Sequence, residues 1–147
     1  MKTKKKVLFL CTGNSARSQM AEALLRKHAE NQYEVHSAGL EPKGVNPFTI
    51  RVLEEHGLDT CKLRSKNMTE YLGVMQFDYL VTVCDNADER CPFIPGTGKQ
   101  MHWSFEDPAA FSGSEAETLE KFREVRQLIE ARILTWLKQE QGGRDAL

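Results

Sequence analysis

The chain has 147 residues and a formal net charge of −1, and 40% of its residues are hydrophobic. This length predicts a single domain over residues 1–147 that buries a core of its own. Charges of both signs are intermixed, which argues against a nucleic-acid partner, because such proteins carry a basic patch or stripe. The first apolar stretch, Val7 to Cys11, is too short for a signal peptide or a membrane span. We therefore expect a cytoplasmic protein without a membrane contact.

Segments with strand and helix patterns alternate along the chain, starting with a buried strand. The predicted strands are Lys5–Leu10, Tyr33–Ser37, Phe77–Cys84 and Gln100–Phe105. Helices are predicted over Ser18–Asn31 and from the cap Asn46 and Pro47 to Gly57. This alternation predicts an α/β fold, in which a parallel sheet carries helices on its faces and binds ligands at the carboxyl ends of its strands.

The last predicted helix has the clearest pattern in the chain. It begins with a capping box between Ser114 and Glu117. Apolar residues then recur at helical spacing and are assigned to the core: Leu119, Phe122, Val125, Ile129, Ile133 and Trp136. The tail over 142–147 is predicted to be frayed.

Cys11 and Arg17 flank a short loop of small and polar residues directly after the first strand. The loop comprises Thr12, Gly13, Asn14, Ser15 and Ala16, and Ser18 follows it. In a tight loop successive backbone N–H groups form a concave cradle for an anion, and the next helix adds the positive end of its dipole. Arg17 can hold two oxygens of a tetrahedral anion, and the same positive field favours the nucleophilic thiolate of Cys11. The pattern predicts a catalytic anion-binding loop.

Three further cysteines stand at positions 61, 84 and 91. In a cytoplasmic protein, free or redox-active thiols are more common than structural disulfides. Cys84 ends a predicted strand at the same sheet edge as Cys11, which favours a resolving thiol over a merely buried side chain. A zinc site at Cys84 and Cys91 is disfavoured, because their spacing does not suit a zinc knuckle and no second pair completes four ligands.

Asp107 and Pro108 follow the strand predicted over Gln100–Phe105, and so they are expected at the same sheet edge. An Asp-Pro pair commonly opens a turn, which is its simplest interpretation. The alternative is an acid that protonates an oxygen leaving group on the side opposite the thiolate.

These residues together resemble the thioredoxin-coupled arsenate reductases, which share the fold of the low-molecular-weight protein tyrosine phosphatases. The matching segments lie at 11–22, 37–39, 83–85, 91–92 and 103–108 and so span almost the whole chain. The resemblance implies a four-stranded parallel sheet flanked by helices on both faces. It also implies a monomeric enzyme of arsenical resistance that takes arsenate as substrate, phosphate or sulfate as competing anions, and thioredoxin as its redox partner.

The resemblance gives each residue of the predicted anion site a role. Cys11 is the nucleophile that attacks arsenate, and Thr12 to Ser18 form the loop around the anion. Within that loop Arg17 holds the oxyanion and Ser18 stabilises the thiolate. Asp107 protonates the departing hydroxide.

The resemblance also implies a relay of three cysteines. Cys84 attacks Cys11, which releases arsenite and leaves a Cys11–Cys84 disulfide. Cys91 then attacks Cys84, and the resulting Cys84–Cys91 disulfide is reduced by thioredoxin. Cys61 has no counterpart in this relay and is assigned a structural role.

The scheme requires no cofactor, although some members of the family bind a potassium ion beside the loop. Asn14, Glu22 and Ser37 match three of its ligands, and Asn67 stands where an acidic fourth ligand is usual. Ala16 stands where many relatives carry another cysteine that is not part of the relay.

Two other functions remain open. A protein tyrosine phosphatase would use the same loop and acid on a phosphate ester. Such enzymes place tyrosines just after the Asp-Pro pair, where residues 109–111 are Ala-Ala-Phe, and they do not need Cys91. The other alternative, a non-catalytic oxyanion or redox sensor, is disfavoured by the presence of both Asp107 and Cys84.

Overall fold

Four parallel strands form one sheet in the order β2-β1-β3-β4. The strands are β1 (Lys5–Cys11), β2 (Tyr33–Gly39), β3 (Tyr79–Thr82) and β4 (Lys99–His102). The structure is a computed structural model that describes residues 3–90 and 96–145, and Cys91 therefore lies outside the described residues.

Helices connect the strands on both sides of the sheet. In the described ranges they are α1 (Arg17–Ala29), α2 (Pro47–Glu55), α3 (Asp85–Arg90) and α4 (Glu115–Asp145), with 3₁₀ helices at Met68–Glu70 and Pro108–Ala110. Tyr33 of β2 packs on Trp136 of α4, whereas His36, on the opposite face of the same strand, packs on Tyr71 at the end of the first 3₁₀ helix, so both faces of the sheet are covered. The predicted fold, a four-stranded parallel sheet flanked by helices, is confirmed.

The N-terminal caps of α2 and α4 are those that the sequence predicts. Asn46 Oδ1 accepts a hydrogen bond from the backbone N–H of Phe48 at 2.8 Å, with Pro47 as the first helical residue. At the start of α4 the Ser114 hydroxyl and the Glu117 carboxylate each accept the other residue's backbone N–H at 3.1 Å. The capping box is therefore present.

The core lies between the sheet and α4, which packs against α1 and α2. All six apolar residues predicted for the buried face of α4 are at most 8% exposed. Trp136 packs its ring against those of Tyr33 and Tyr79, with centroid distances of 5.1 Å in both cases. This helix therefore anchors the sheet from which the carboxyl-end loops project.

Several element ends differ from the predicted ones. The third and fourth strands are shorter than predicted. β3 is two residues shorter at each end, and β4 begins one residue earlier and ends three residues earlier than the predicted strand. The last helix continues to Asp145, three residues beyond the start of the predicted frayed tail at Gly142. Each residue added to a formed helix gains a backbone hydrogen bond at little further cost, which favours such an extension.

Candidate active site

The loop between β1 and α1 turns through Asn14, whose φ of 47° is the one positive value among the described non-glycine residues. Asn tolerates this left-handed conformation better than most residues. Its buried side chain uses all of its hydrogen-bonding positions. Nδ2 donates to the hydroxyls of Ser18 and Ser37 at 2.8 and 3.0 Å, and Oδ1 accepts from Gln19 Nε2 at 3.0 Å and from the Lys66 N–H at 2.8 Å.

The carbonyl groups of the loop are held by a neighbouring segment. Backbone N–H groups of Glu41, Lys43 and Asn46 bond the carbonyls of Thr12, Gly13 and Ser15 at 2.8, 3.0 and 3.0 Å. In a trans peptide the N–H points opposite to the C=O. The N–H groups that follow these carbonyls therefore point away from that segment. Together they form a concave set of donors, as the sequence predicts for an anion cradle.

Gly39, at the end of β2, allows the loop to lie directly against the sheet. A Cβ atom at this position would stand 2.7 Å from the Thr12 carbonyl oxygen and 2.9 Å from the Asn14 nitrogen. Any side chain here would displace the loop backbone, so glycine is required for the close approach.

Arg17 places its guanidinium group at the wall of the loop. Its Nη1 donates to the Phe105 carbonyl at 3.1 Å, and its Nη2 lies 3.6 Å from Asp107 Oδ2. Its Nε is buried and has no hydrogen-bond partner among the described residues. A buried charged donor without an acceptor is costly, and an oxyanion in the loop would supply that acceptor.

The cradle opens into a cavity of about 470 Å³. Its lining comprises Cys11, Thr12, Gly13, Ser15, Ala16, Arg17, Lys43, Asn86, Asp107, Ala109 and Ala110. The thiol, the guanidinium and the carboxylic acid thus share one cavity, as the strand order predicts.

Cys84 lies next to the loop because of the sheet register. Leu10 pairs with Thr82, so two residues further along the strands Thr12 stands beside Cys84. The Thr12 hydroxyl is 3.4 Å from the Cys84 sulfur, and Asn86 Nδ2 donates to that hydroxyl at 2.7 Å. The sheet therefore brings the two predicted thiols to the same edge.

The thiols of Cys11 and Cys84 ionise as an interacting pair, because each shifts the pKa of the other. The interaction with Cys11 lowers the pKa of Cys84 to about 5, against the effect of burial and together with the Thr12 hydroxyl, the Ala87 N–H and Arg17. The interaction with Cys84, followed by burial, raises the pKa of Cys11, while Arg17 lowers it. The two opposite directions favour ionisation of one sulfur before the other.

Asp107 faces Arg17 from the opposite wall of the cavity. Its Oδ1 accepts the Ala109 N–H at 3.0 Å and so caps the 3₁₀ helix at Pro108–Ala110. Its Oδ2 lies on the Arg17 side, and its side chain is 42% exposed. The turn interpretation and the acid interpretation are thus compatible, because each uses a different oxygen of the carboxylate.

Comparison with known proteins agrees with this geometry. The sequence profile of the low molecular weight phosphotyrosine protein phosphatase family matches residues 6–144. The chain belongs to this family.

Within the family its relatives include arsenate reductases. The arsenate reductase of Halalkalibacterium halodurans is 41% identical over 133 residues, which cover 90% of this chain and 95% of that protein. A solved arsenate reductase in its phosphate-binding state has a TM-score of 0.74 and 29% identity, with 92% of this chain and 98% of that chain covered. The thioredoxin-dependent arsenate reductase of Corynebacterium glutamicum has a TM-score of 0.71 and 27% identity, with 97% and 64% covered.

The residues matched to the family's potassium site are already engaged in this structure. Asn67 Oδ1 accepts the Thr69 N–H at 2.9 Å, and Asn14 turns its nitrogen rather than its oxygen toward Ser37. Glu22 Oε1 accepts from Ser37 and lies 3.8 Å from the Lys66 ammonium. This donor set does not fit a potassium ion, which needs several free oxygen ligands.

Two predicted residues have surroundings that differ from their expected roles. Ser18 is buried and accepts from Asn14, and no hydrogen bond joins it to Cys11 in the described chain. Cys61 is exposed, with its N–H bonded to Asp59, so it contributes no core packing.

Three supporting residues were missed by the sequence reasoning. Gln19 bonds the Asn14 backbone carbonyl at 3.1 Å and the Arg64 carbonyl at 2.9 Å. Lys43 lines the cavity, and Lys66 lies behind the loop. Gln19 directly precedes Met20 and Ala21, which are also buried in α1, and its place beside these apolar residues was the available signal in the sequence.

No helix in the described ranges is both long and apolar enough to cross a membrane. Across residues 3–90 and 96–145, no cluster of three or more His, Cys, Asp or Glu side chains could hold a metal ion.

Proposed function

We propose that this chain is an arsenate reductase that works by a relay of three cysteines. The observation that carries the proposal is the position of the second thiol, because the Cys84 sulfur lies 3.4 Å from the hydroxyl of Thr12, the residue that follows Cys11 in the anion loop. A phosphatase needs only one nucleophile, whereas a second thiol within reach of the first can supply the electrons for a reduction. The arsenate reductases among its relatives, at about 40% identity, support the same reaction.

In the first step the Cys11 thiolate attacks the arsenic of arsenate held in the loop. A sulfur–arsenic bond forms and an arsenic–oxygen bond breaks. The oxygen leaves as water after it takes a proton from Asp107, and Arg17 stabilises the oxyanion. Arg17 lowers the pKa of Cys11, and in this proposal the proton that Cys11 gives up passes to the Cys84 thiolate.

In the second step Cys84 passes its proton to an oxygen of the bound arsenic group and attacks the sulfur of Cys11 as a thiolate. A sulfur–sulfur bond forms and the sulfur–arsenic bond breaks, and its electron pair stays on arsenic. Arsenic is thereby reduced from the +5 to the +3 state and leaves as arsenite. The two cysteines are oxidised to a disulfide.

In the third step the Cys91 thiolate attacks Cys84 and releases Cys11 as a thiolate. The Cys84–Cys91 disulfide is then reduced by a dithiol partner, for which thioredoxin is proposed. The thioredoxin-dependent relative from Corynebacterium glutamicum supports this partner. The proposal requires no cofactor and assigns the protein to the cytoplasm, where thioredoxin keeps thiols reduced.

A phosphatase is the second candidate, because the matched family is named for that activity and Asp107 faces the same cavity. The cavity wall beyond Asp107 is formed by Ala109 and Ala110, which offer no aromatic surface against which a phosphotyrosine ring could stack. This observation favours the smaller inorganic oxyanion.

The deciding experiment measures arsenate-dependent NADPH oxidation with thioredoxin and thioredoxin reductase, beside hydrolysis of an aryl phosphate. We expect arsenate turnover in the wild type and none in Cys11→Ser, because this loop does not ionise a hydroxyl. Efficient aryl-phosphate hydrolysis without arsenate turnover would favour the phosphatase. Appreciable turnover by Cys11→Ser would remove the nucleophile assignment.

A further inference from the structure

We propose that Lys66 is a positioning residue of the anion loop. Its ammonium group acts as a built-in cation beside Glu22, where the resemblance implies a potassium ion, and so the loop needs no added cation. The inference concerns the anion loop itself, and only its kinetic test rests on the proposed function.

Lys66 is buried, with 8% of its surface exposed. Its Nζ donates to the Arg64 carbonyl at 2.6 Å and lies 3.8 Å from Glu22 Oε1. Burial lowers the pKa of Lys66, and Glu22 opposes that shift. A lysine held in this way is costly unless its charge is compensated, and Glu22 is the nearby carboxylate that does so.

Glu22 connects this charge to the loop. The carboxylate is 4% exposed and is held by two cations, with Arg26 Nη1 on Oε2 at 2.6 Å and Lys66 on the Oε1 side. The Ser37 hydroxyl donates to Oε1 at 2.7 Å and accepts from Asn14 Nδ2 at 3.0 Å. A chain of buried polar contacts therefore runs from the Lys66 ammonium to the strained Asn14.

The backbone of Lys66 also supports the anion loop, independently of the charge on the side chain. Its N–H donates to Asn14 Oδ1 at 2.8 Å, and its carbonyl accepts from the Gly39 N–H at 2.8 Å. Both contacts survive replacement of the side chain. A substitution at this position consequently removes the ammonium while it leaves the main-chain support of the loop in place.

Removal of the ammonium would leave Glu22 with one cation instead of two. It would also remove one of the two donors to the Arg64 carbonyl oxygen, which keeps its bond to Gln19, and would leave a space bordered by this oxygen and Glu22 Oε1, the two groups that the ammonium contacts. Such a space suits a monovalent cation. The proposal therefore predicts that the wild type is indifferent to potassium, and that loss of Lys66 creates a dependence on it.

The first test measures binding of inorganic phosphate by calorimetry, with tetramethylammonium phosphate in either choline chloride or potassium chloride at equal ionic strength. We expect the wild type to bind equally in both salts. Lys66→Ala should bind about tenfold more weakly in choline chloride, the size expected for a lost buried charge contact, and potassium should recover most of that loss. Lys66→Arg keeps the charge and should stay close to the wild type.

Lys62→Ala is the matched control, because Lys62 carries the same charge four residues away but is exposed. It should bind phosphate like the wild type in both salts. Wild-type binding that tightens threefold or more in potassium, or Lys66→Ala binding that equals the wild type in choline chloride, would overturn the proposal. If Lys66→Ala does not fold, the comparison of the two salts in the wild type still tests the proposal, because a threefold effect of potassium on phosphate binding would overturn it.

The kinetic test applies the same salts to arsenate reduction, where Lys66→Ala should raise KM for arsenate by a similar factor. If the wild type does not reduce arsenate but the phosphate results hold, the proposed function fails and the role of Lys66 stands. If arsenate is reduced with no effect of Lys66→Ala on phosphate binding, the reverse is true.

Discussion

The anion loop and helix α3 both border the cavity, but they are held in different ways. The loop carbonyls are fixed by backbone donors of a neighbouring segment, and the buried Asn14 side chain makes four hydrogen bonds. In α3 only Ala87 is buried, and the helix is tied down by side-chain contacts at the surface. Exposed contacts of that kind contribute little to stability.

This difference matches the two tasks in the proposed mechanism. The loop must present a preformed charge pattern to an anion, and rigid positioning lowers the cost of binding. The segment after Cys84 must instead let one sulfur leave the site and join another. A six-residue helix that begins with Asp85 and Asn86, both poor helix formers, opens at low cost.

The largest expected effect is the loss of arsenate reduction when a relay cysteine outside the anion loop is replaced. Cys84→Ser and Cys91→Ser should each lose thioredoxin-coupled multi-turnover reduction, to below about 1% of the wild type, because both thiols act after the anion is attacked. Each variant should still hydrolyse an aryl phosphate if the wild type does so. Cys61→Ser is the control and should keep turnover. Near-normal turnover by either relay variant would show that the three-cysteine relay is wrong.

Asp107→Asn tests whether Asp107 donates a proton to the anion that the loop holds. The amide cannot donate the proton, so single-turnover arsenate reduction should slow by about 10²-fold. The Asn oxygen can still cap the 3₁₀ helix, and phosphate binding measured by calorimetry should change little. If the single-turnover rate is unaffected, Asp107 serves only as a turn residue.

Hydrogen exchange tests whether helix α3 opens when the protein is oxidised. If the chain from Cys84 to Cys91 were helical throughout, the seven steps between the two residues would separate their Cα atoms by about 10 Å, whereas a disulfide needs roughly 4.4–6.8 Å. Oxidation to the Cys84–Cys91 form should therefore open Asp85–Arg90 and raise its amide exchange at least about tenfold, while the sheet and α4 stay protected. Equal protection of this segment in both redox forms would exclude this opening on oxidation.

Thr12→Val is expected to give the smallest change. Asn86 donates to the Thr12 hydroxyl, which leaves the hydroxyl hydrogen free for the Cys84 sulfur. The lowered pKa keeps Cys84 ionised above about pH 5. Loss of the donor should move the midpoint of the thiolate absorbance upward by about one pH unit, because the charged form loses a hydrogen bond. An unchanged midpoint would mean that Thr12 does not stabilise the thiolate.

Much of the site could be predicted because it is local in sequence. Cys11 and Arg17 are separated by a loop whose length and composition restrict its shape, and Asn14 suits the left-handed turn that the loop requires. The buried face of α4 follows from helical periodicity alone. The predicted edge position of Cys84 and Asp107 needed only the rule that parallel strands share a direction.

The support behind the loop could not be predicted in the same way. Glu22, Ser37 and Lys66 come from α1, from β2 and from the segment before the 3₁₀ helix at Met68–Glu70. No periodicity relates these positions, and each is an ordinary polar residue in its own segment. Even the resemblance, which brings Glu22 and Ser37 together, does not indicate that the ammonium of Lys66 lies beside them.

The succession of strands and helices along the chain, the anion loop and its nucleophile could be predicted from the sequence, because each depends on residues close together in the chain. Only the folded chain reveals the contact of the Cys84 sulfur with the Thr12 hydroxyl and the burial of Lys66 against Glu22. Those contacts depend on strand register and on the packing of distant segments, in which a displacement of a few ångströms would break a hydrogen bond and change which group carries the charge.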